Sequence, residues 1–126
     1  MWGAARLKTQ KFHNNQIGDA GAQALASACE ALPQLKELYL GHNQIGDAGA
    51  QALAEAYACG ALGQLSALYL VANQIGDAGA HALAVALASG ALAQLTALLL
   101  FGNPIGDVGK QALTPACASR SLGLYI

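Results

Sequence analysis

Four stretches of this chain carry the same small set of polar and flexible residues. NQIGDAGA stands at 15–22, 43–50 and 73–80, and a divergent copy, NPIGDVGK, follows at 103–110. Each holds an Asn, an Asp and two glycines in fixed register, so the first question is whether these residues do chemistry or shape the chain. The chemical reading takes G-D-x-G as a loop that cradles phosphate with its backbone N–H groups. That reading fails on three counts. The pattern is too short to be specific, its carboxylate repels a phosphate, and no Lys-Ser/Thr pair follows it.

The other reactive side chains form no constellation. His13, His42 and His81 fall in different registers of the repeated pattern, which gives a zinc site no geometric support. The three cysteines, Cys29, Cys59 and Cys117, are odd in number and lack metal-type spacing. Cys29 and Cys117 align with Tyr57 and Leu87 and read as small core residues, whereas Cys59 aligns with Ser89. No Ser–His–Asp or Cys–His pairing emerges. The expectation is a protein with no catalytic residue, no metal and no cofactor.

Composition narrows the classes further. At 126 residues the chain is one domain long, taken as a single unit over 1–126. Lys and Arg number 6 and Asp and Glu 7, a net charge of −1, which lacks the basic footprint of a nucleic-acid or anionic-membrane binder. Charged residues make up 10% and hydrophobic ones 55%, against roughly 25% charged in an ordinary soluble domain. Such a balance suits a chain whose faces are mostly covered. The start, MWGAARLKTQ, has no apolar signal-peptide core, and unpaired cysteines fit a reducing compartment, so a cytoplasmic location is expected.

One segment tests the soluble reading. ALAVALASGALAQLTALLLF, at 82–101, is long enough to span a bilayer, and no charge occurs between 78 and 106. Yet residues 78–106 align in register with 48–76, which carry Glu55, and Ala and Gly dominate the run's first half. The expectation is a repeat and no membrane span.

The period decides what each motif means. Asn15, Asn43, Asn73 and Asn103 are spaced by 28, 30 and 30 residues, and apolar or small residues recur after each at offsets +2, +6, +10 and +14. Before the last three asparagines stand LKELYLGHN, LSALYLVAN and LTALLLFGN, each L-x-x-L-x-L-x-x-N, and LKTQKFHNN at 7–15 is a weaker version. This unit, L-x-x-L-x-L-x-x-N-x-I-G-D-x-G-A-x-A-L-A, resembles the leucine-rich repeat of the ribonuclease-inhibitor-like class, over residues 7 to about 118. The same class occurs in nucleotide-binding-domain receptors and in the activating protein of the Ran GTPase. The resemblance implies an α/β solenoid, a short horseshoe with a parallel β-sheet on the concave side and α-helices on the convex side. Its repeats start near 7, 35, 65 and 95, the last incomplete or degenerate.

Elementary patterning agrees. In L-x-L the leucines alternate with other residues, which is strand periodicity with one buried face. Strands are expected near Gln10–Phe12, Leu38–Leu40, Leu68–Leu70 and Leu98–Leu100. After each Asp the spacing of Ala22, Leu25, Ala26 and Cys29 is one face of a helix. Asp19, Asp47, Asp77 and Asp107 then stand just before helical runs, where each is expected to cap its helix for about 1 kcal/mol. Gly18, Gly46, Gly76 and Gly106 are expected in the preceding turn, through positive φ or close backbone approach. Gly21, Gly49, Gly79 and Gly109 would let each helix start lie against the neighbouring coil. Asn15, Asn43, Asn73 and Asn103 would satisfy backbone groups in the turns. The repeated octet is scaffold.

Recognition must therefore lie on the variable strand positions. They form three columns: Thr9, Glu37, Ala67, Ala97; Lys11, Tyr39, Tyr69, Leu99; and His13, Gly41, Val71, Phe101. Parallel neighbours stand about 4.8 Å apart, which places Tyr39 beside Tyr69. Lys11, Glu37, Tyr39, Tyr69, Val71, Leu99 and Phe101 are the candidate partner-binding residues. The columns turn from charged to apolar toward Leu99 and Phe101. A partner-binding patch and drift in a chain that once had more repeats both fit that trend.

The expected function is protein–protein recognition through the concave strand face. A second reading follows from the resemblance: regulation of a small GTPase as in the Ran-activating proteins. It lacks an arginine on the strand registers, since Arg6 and Arg120 lie at opposite ends, and the acidic tail usual in that group is missing. A third reading is a truncated fragment of a longer protein. Lys8, Gln10 and Lys11 make the first repeat polar enough to close that end. At the other end Pro115 is expected to interrupt the last helix, and SLGLYI to begin a fifth strand at Leu124–Ile126. That end looks uncapped and open to self-association.

Overall fold

The leucine at the centre of each strand sets the packing. Leu38, Leu68 and Leu98 stand in the middle of three-residue strands and are buried, while their neighbours point to the other face. The computed structural model describes residues 9–11, 16–28 and 34–126. Arg6, Lys8, His13, Asn15 and Cys29 lie outside the described residues. In chain order the elements are β1 (Thr9–Lys11), α1 (Gly18–Ala28), β2 (Glu37–Tyr39), α2 (Asp47–Ala58), β3 (Ala67–Tyr69), α3 (Asp77–Ala88), β4 (Ala97–Leu99), α4 (Asp107–Ala118) and β5 (Gly123–Tyr125).

The five strands make one parallel sheet in sequential order, and each helix packs on the next. The result is an α/β solenoid with strands inside and helices outside. Between the layers lies one apolar column after another: Leu40, Leu70 and Leu100; Ile45, Ile75 and Ile105; Leu53, Leu83 and Leu113, all buried. The strands begin and end one residue earlier than expected. Leu40 and Leu70 still donate their N–H groups to Tyr69 O and Leu99 O, at 2.8 Å each. The chain then bends at His42, Ala72 and Gly102, whose φ values of 58, 53 and 81° carry it out of the sheet.

Two ladders of side-chain hydrogen bonds hold successive coils in register, and they run in opposite directions. The Asn of each coil reaches back. Asn73 Oδ1 accepts the N–H groups of Asn43 (2.9 Å) and Ile45 (3.0 Å), and its Nδ2 donates to Leu40 O, Leu70 O and Val71 O. Asn103 repeats this with Ile75 N–H, Leu70 O and Leu100 O, and Asn43 accepts from Ile17 N–H and donates to Gly41 O. The Asp of each coil reaches forward. Asp19 Oδ1 accepts from Gly46 and Gly49, Asp47 from Gly76 and Gly79, and Asp77 from Gly106 and Gly109, at 2.7–3.0 Å.

This corrects the expected capping. Gly46, Gly76 and Gly106 occupy the N-cap seats of α2, α3 and α4, with no side-chain cap bond from their own coil. Asp47 and Asp77 are already the first residues of their helices, and their carboxylates reach the next helix rather than their own N-termini. The N-cap glycines are extended, with φ of −102, −105 and −89°, and a methyl on Gly106 would lie 3.3 Å from each Asp77 carboxylate oxygen; the tighter approach is at the glycines three residues on. A methyl on Gly79 would lie 2.8 Å from Asp47 Oδ1 and 3.0 Å from Ala50 Cβ.

The C-terminal coil differs from expectation in three ways. Helix α4 continues through Pro115 to Ala118. The ring withholds an N–H from Gln111, but both residues are exposed, and water can take the freed carbonyl. The fifth strand, expected over Leu124–Ile126, runs over Gly123–Tyr125, with Leu124 opposite Leu98. And its outer helical flank is polar. Ala22, Ala50 and Ala80 are wholly buried against the next coil, whereas α4 has Lys110 there, exposed; Ala54 and Ala84 likewise give way to Thr114. The link from α4 to β5, residues 119–122, is half the length of the link 89–96. Arg120 secures it, donating to Leu87 O, Ala91 O (2.7 Å) and Leu92 O of the preceding turn.

A candidate binding face on the concave sheet

Sheet register brings the variable strand residues into lines. Lys11, Tyr39, Tyr69, Leu99 and Tyr125 are successive partners across the five strands, and Thr9, Glu37, Ala67, Ala97 and Gly123 form the parallel line two residues before. Strand β2 alternates half-buried Glu37, buried Leu38 and half-buried Tyr39, so Glu37 and Tyr39 share the concave face. His13, in the third line, lies outside the described residues.

Tyr39 and Tyr69 are the best-defined part of the face. Their rings are stacked with centroids 4.1 Å apart and planes 6° from parallel. Their register on adjacent parallel strands sets the two rings side by side at a spacing of about 4.8 Å, near enough to stack. A hydrogen bond with Tyr69 holds the Tyr39 hydroxyl neutral, and partial burial and the charges of Tyr69 and Glu37 act the same way, so its pKa is pushed up to about 12.

Beyond the tyrosines the face is apolar. Leu99 and Val71 are half-buried, and Phe101 and Tyr125 are 51% and 54% exposed. Gly41 supports Val71, since a methyl on it would meet Val71 Cγ2 at 3.0 Å. Lys11 and Glu37 are the charged residues at these strand positions, on the neighbouring strands β1 and β2.

Tyr125 was not among the residues expected on this face. The signal for it was there: Leu124–Tyr125–Ile126 repeats the alternation of Leu38–Tyr39–Leu40, with the middle residue on the concave face. Arg120 was likewise read only as a missing catalytic arginine. Its role depends on carbonyls at positions 87, 91 and 92, and no local pattern announces that. Among the described residues no group of three His, Cys, Asp or Glu could hold a metal. Cys117 is buried in the core, where burial raises its thiol pKa and Arg120 pulls the other way, while Cys59 is exposed. None of the described helices is long and apolar enough to cross a membrane.

Comparison with known proteins gives this geometry a family. The family model described as Leucine Rich repeat matches residues 12–26, 32–54, 65–84 and 94–113, more than half of the chain, one stretch for each strand–helix unit. Among solved structures, the chain is similar to one titled Leiomodin-1 Actin-Binding Site 2, with a TM-score of 0.79 over 94% of this chain and 70% of that one. Sequence identity there is 20%, so the likeness is one of fold. No curated protein matches the sequence. Four matched repeats, a parallel sheet built from their L-x-L segments and a ladder built from their asparagines lead to one conclusion: the chain belongs to the leucine-rich repeat family.

Proposed function

We propose that this protein is a recognition module without catalysis, a leucine-rich repeat of the ribonuclease-inhibitor-like class that binds a protein partner through its concave strand face. Leucine-rich repeats are in general binding scaffolds. The observation that carries the proposal is the line Tyr39, Tyr69, Leu99 and Tyr125, flanked by Val71 and Phe101. It is a continuous aromatic and apolar surface that the fold itself does not need. Exposed aromatic clusters are common anchors of protein interfaces. The period of 28–30 residues and full α-helices on every described coil support the class.

A GTPase-regulating role is less well supported. Arg120 is committed to three backbone carbonyls and is not available to a nucleotide. A cytoplasmic location is part of the proposal, on the odd count of three cysteines. We place the route to self-association on the β5 edge, beside Tyr125 and Ile126, because Lys110 and Thr114 make the α4 flank polar.

Actin is the first partner to test, since the similar solved structure is an actin-binding site. Co-sedimentation with filamentous actin would compare the wild type with Leu99→Ser/Phe101→Ser and Tyr39→Ser/Tyr69→Ser. Both variants should lose binding while keeping their helical circular dichroism. Binding unchanged by either pair would overturn the concave-face assignment. Absence of binding by the wild type removes actin and moves the same variants to proteins captured on the immobilised chain.

A further inference from the structure

Strand β5 is an outer strand of the sheet, and the backbone groups on its free edge are arranged as their own complement. Toward β4, Gly123 donates its N–H to Thr96 O at 2.8 Å, and Tyr125 O accepts the N–H of Leu100 at 2.6 Å. A parallel ladder alternates, so Leu124 turns both its N–H and its C=O away from β4. The earlier coils show which groups join it on that edge. Lys36, Ser66 and Thr96 each give a C=O to the next strand, and Leu40, Leu70 and Leu100 each give an N–H. Leu122 and Ile126 hold the same two places beside β5. The free edge therefore offers the C=O of Leu122, both groups of Leu124 and the N–H of Ile126, a set symmetric about Leu124.

The side chains of this edge also invite pairing. Residues 121–126, SLGLYI, hold no charge and no proline, the devices that usually keep an outer strand from pairing, whereas β1 at the other edge carries Lys11. Leu124 is half-buried, although Leu38, Leu68 and Leu98 at the same place are at most 1% exposed. The strand that answers this edge is a second β5, running antiparallel with Leu124 opposite Leu124. Each Leu124 N–H then meets the other Leu124 C=O, and each Ile126 N–H meets the other Leu122 C=O. On the concave side each Tyr125 stands opposite the other Gly123, a large side chain against none. Within one chain the same ring already uses the space such a glycine leaves, since a methyl on Gly123 would lie 3.3 Å from Tyr125 Cε2. On the core side each half-buried Leu124 gains the other as its cover.

We propose that the protein dimerises by pairing β5 with β5 of a second copy, antiparallel and centred on Leu124. The pairing rests on self-association running through the β5 edge, and it adds the geometry and the consequence. Two sheets join edge to edge, and two concave faces stand side by side. A partner with two matching surfaces is then held at both, which raises its apparent affinity without any new contact.

The test uses the full chain, labelled with nitrogen-15. Sedimentation equilibrium from about 10 μM to about 1 mM should show a dimer that forms as concentration rises. Over the same range the amides of Leu124 and Ile126 should gain protection from hydrogen exchange. The amide of Gly123, already bonded to Thr96 O, should be protected throughout. Ile126→Pro removes an N–H that faces away from β4, and should weaken the dimer about tenfold with an otherwise unchanged NMR spectrum. Val85→Ser, at an exposed apolar residue of α3, should leave the dimer as it is. A chain that stays monomeric, a dimer whose Leu124 and Ile126 amides stay unprotected, or a dimer as tight in Ile126→Pro as in the wild type would overturn the pairing. A monomer whose partner binding still depends on Leu99 and Phe101 loses the pairing alone. A dimer lost in Tyr39→Ser/Tyr69→Ser but kept in Ile126→Pro puts self-association on the concave face, and the β5 placement then fails together with the pairing.

Discussion

Asp47 caps a helix that is not its own: its Oδ1 lies 2.7 Å from the N–H of Gly76, the N-cap of α3, in the following coil. The same oxygen also takes the N–H of Gly79. A single carboxylate therefore satisfies the start of the next helix and fixes the distance between two coils.

The position of each Asp in the stack should decide how much it matters. Asp47→Ala leaves two helix-start N–H groups without their acceptor and should cost about 1–2 kcal/mol in urea unfolding. Asp107 is exposed, and no helix follows it within the 126 residues, so Asp107→Ala should change stability by less than about 0.5 kcal/mol. Equal losses for the two would mean that each Asp stabilises mainly its own helix.

Asn73 is a heavily bonded side chain of the backward ladder. It is 6% exposed, and its amide makes five hydrogen bonds to backbone groups of two coils. Asn73→Asp keeps the size but loses the donors to three carbonyls, and should lower stability by about 3 kcal/mol near neutral pH. A thermal melt within error of the wild type would show that water replaces the amide without loss.

The tyrosine pair predicts an alkaline dependence. Because the folded chain raises the Tyr39 pKa from 10.0 to about 12, it favours the neutral phenol. That stabilisation is fully present below about pH 10 and is lost as pH rises toward about 12. Tyr69→Phe removes the hydrogen bond, so Tyr39 should ionise nearer the ordinary value and stability should fall less steeply across that window. Phenolate absorbance in wild type and variant, with denaturant unfolding at several pH values, measures both effects. Identical titrations would show that the two hydroxyls are not bonded in solution.

Much of this protein was legible in its sequence because repetition makes local signals reinforce one another. The period, the buried leucines, the helix faces and the alignment of Tyr39 with Tyr69 all depend on spacing along the chain, and spacing is what a sequence displays. The Asn and Asp columns were recognisable as scaffold for the same reason. What the sequence could not show is direction. Asn73 bonds residues near 43 and Asp47 bonds residues near 76, and only the stacking of coils brings those groups within hydrogen-bond reach. The C-terminal coil depended on tertiary structure in the same way. Lys110 and Thr114 stand out as a polar flank only when they are set against the buried alanines of earlier coils. Tyr125 joins the concave line because the fifth strand pairs with β4, opposite Leu99, and Arg120 finds its three carbonyls only in another coil. Local pattern chose the elements, and contacts between residues some thirty positions apart chose what each exposed side chain meets.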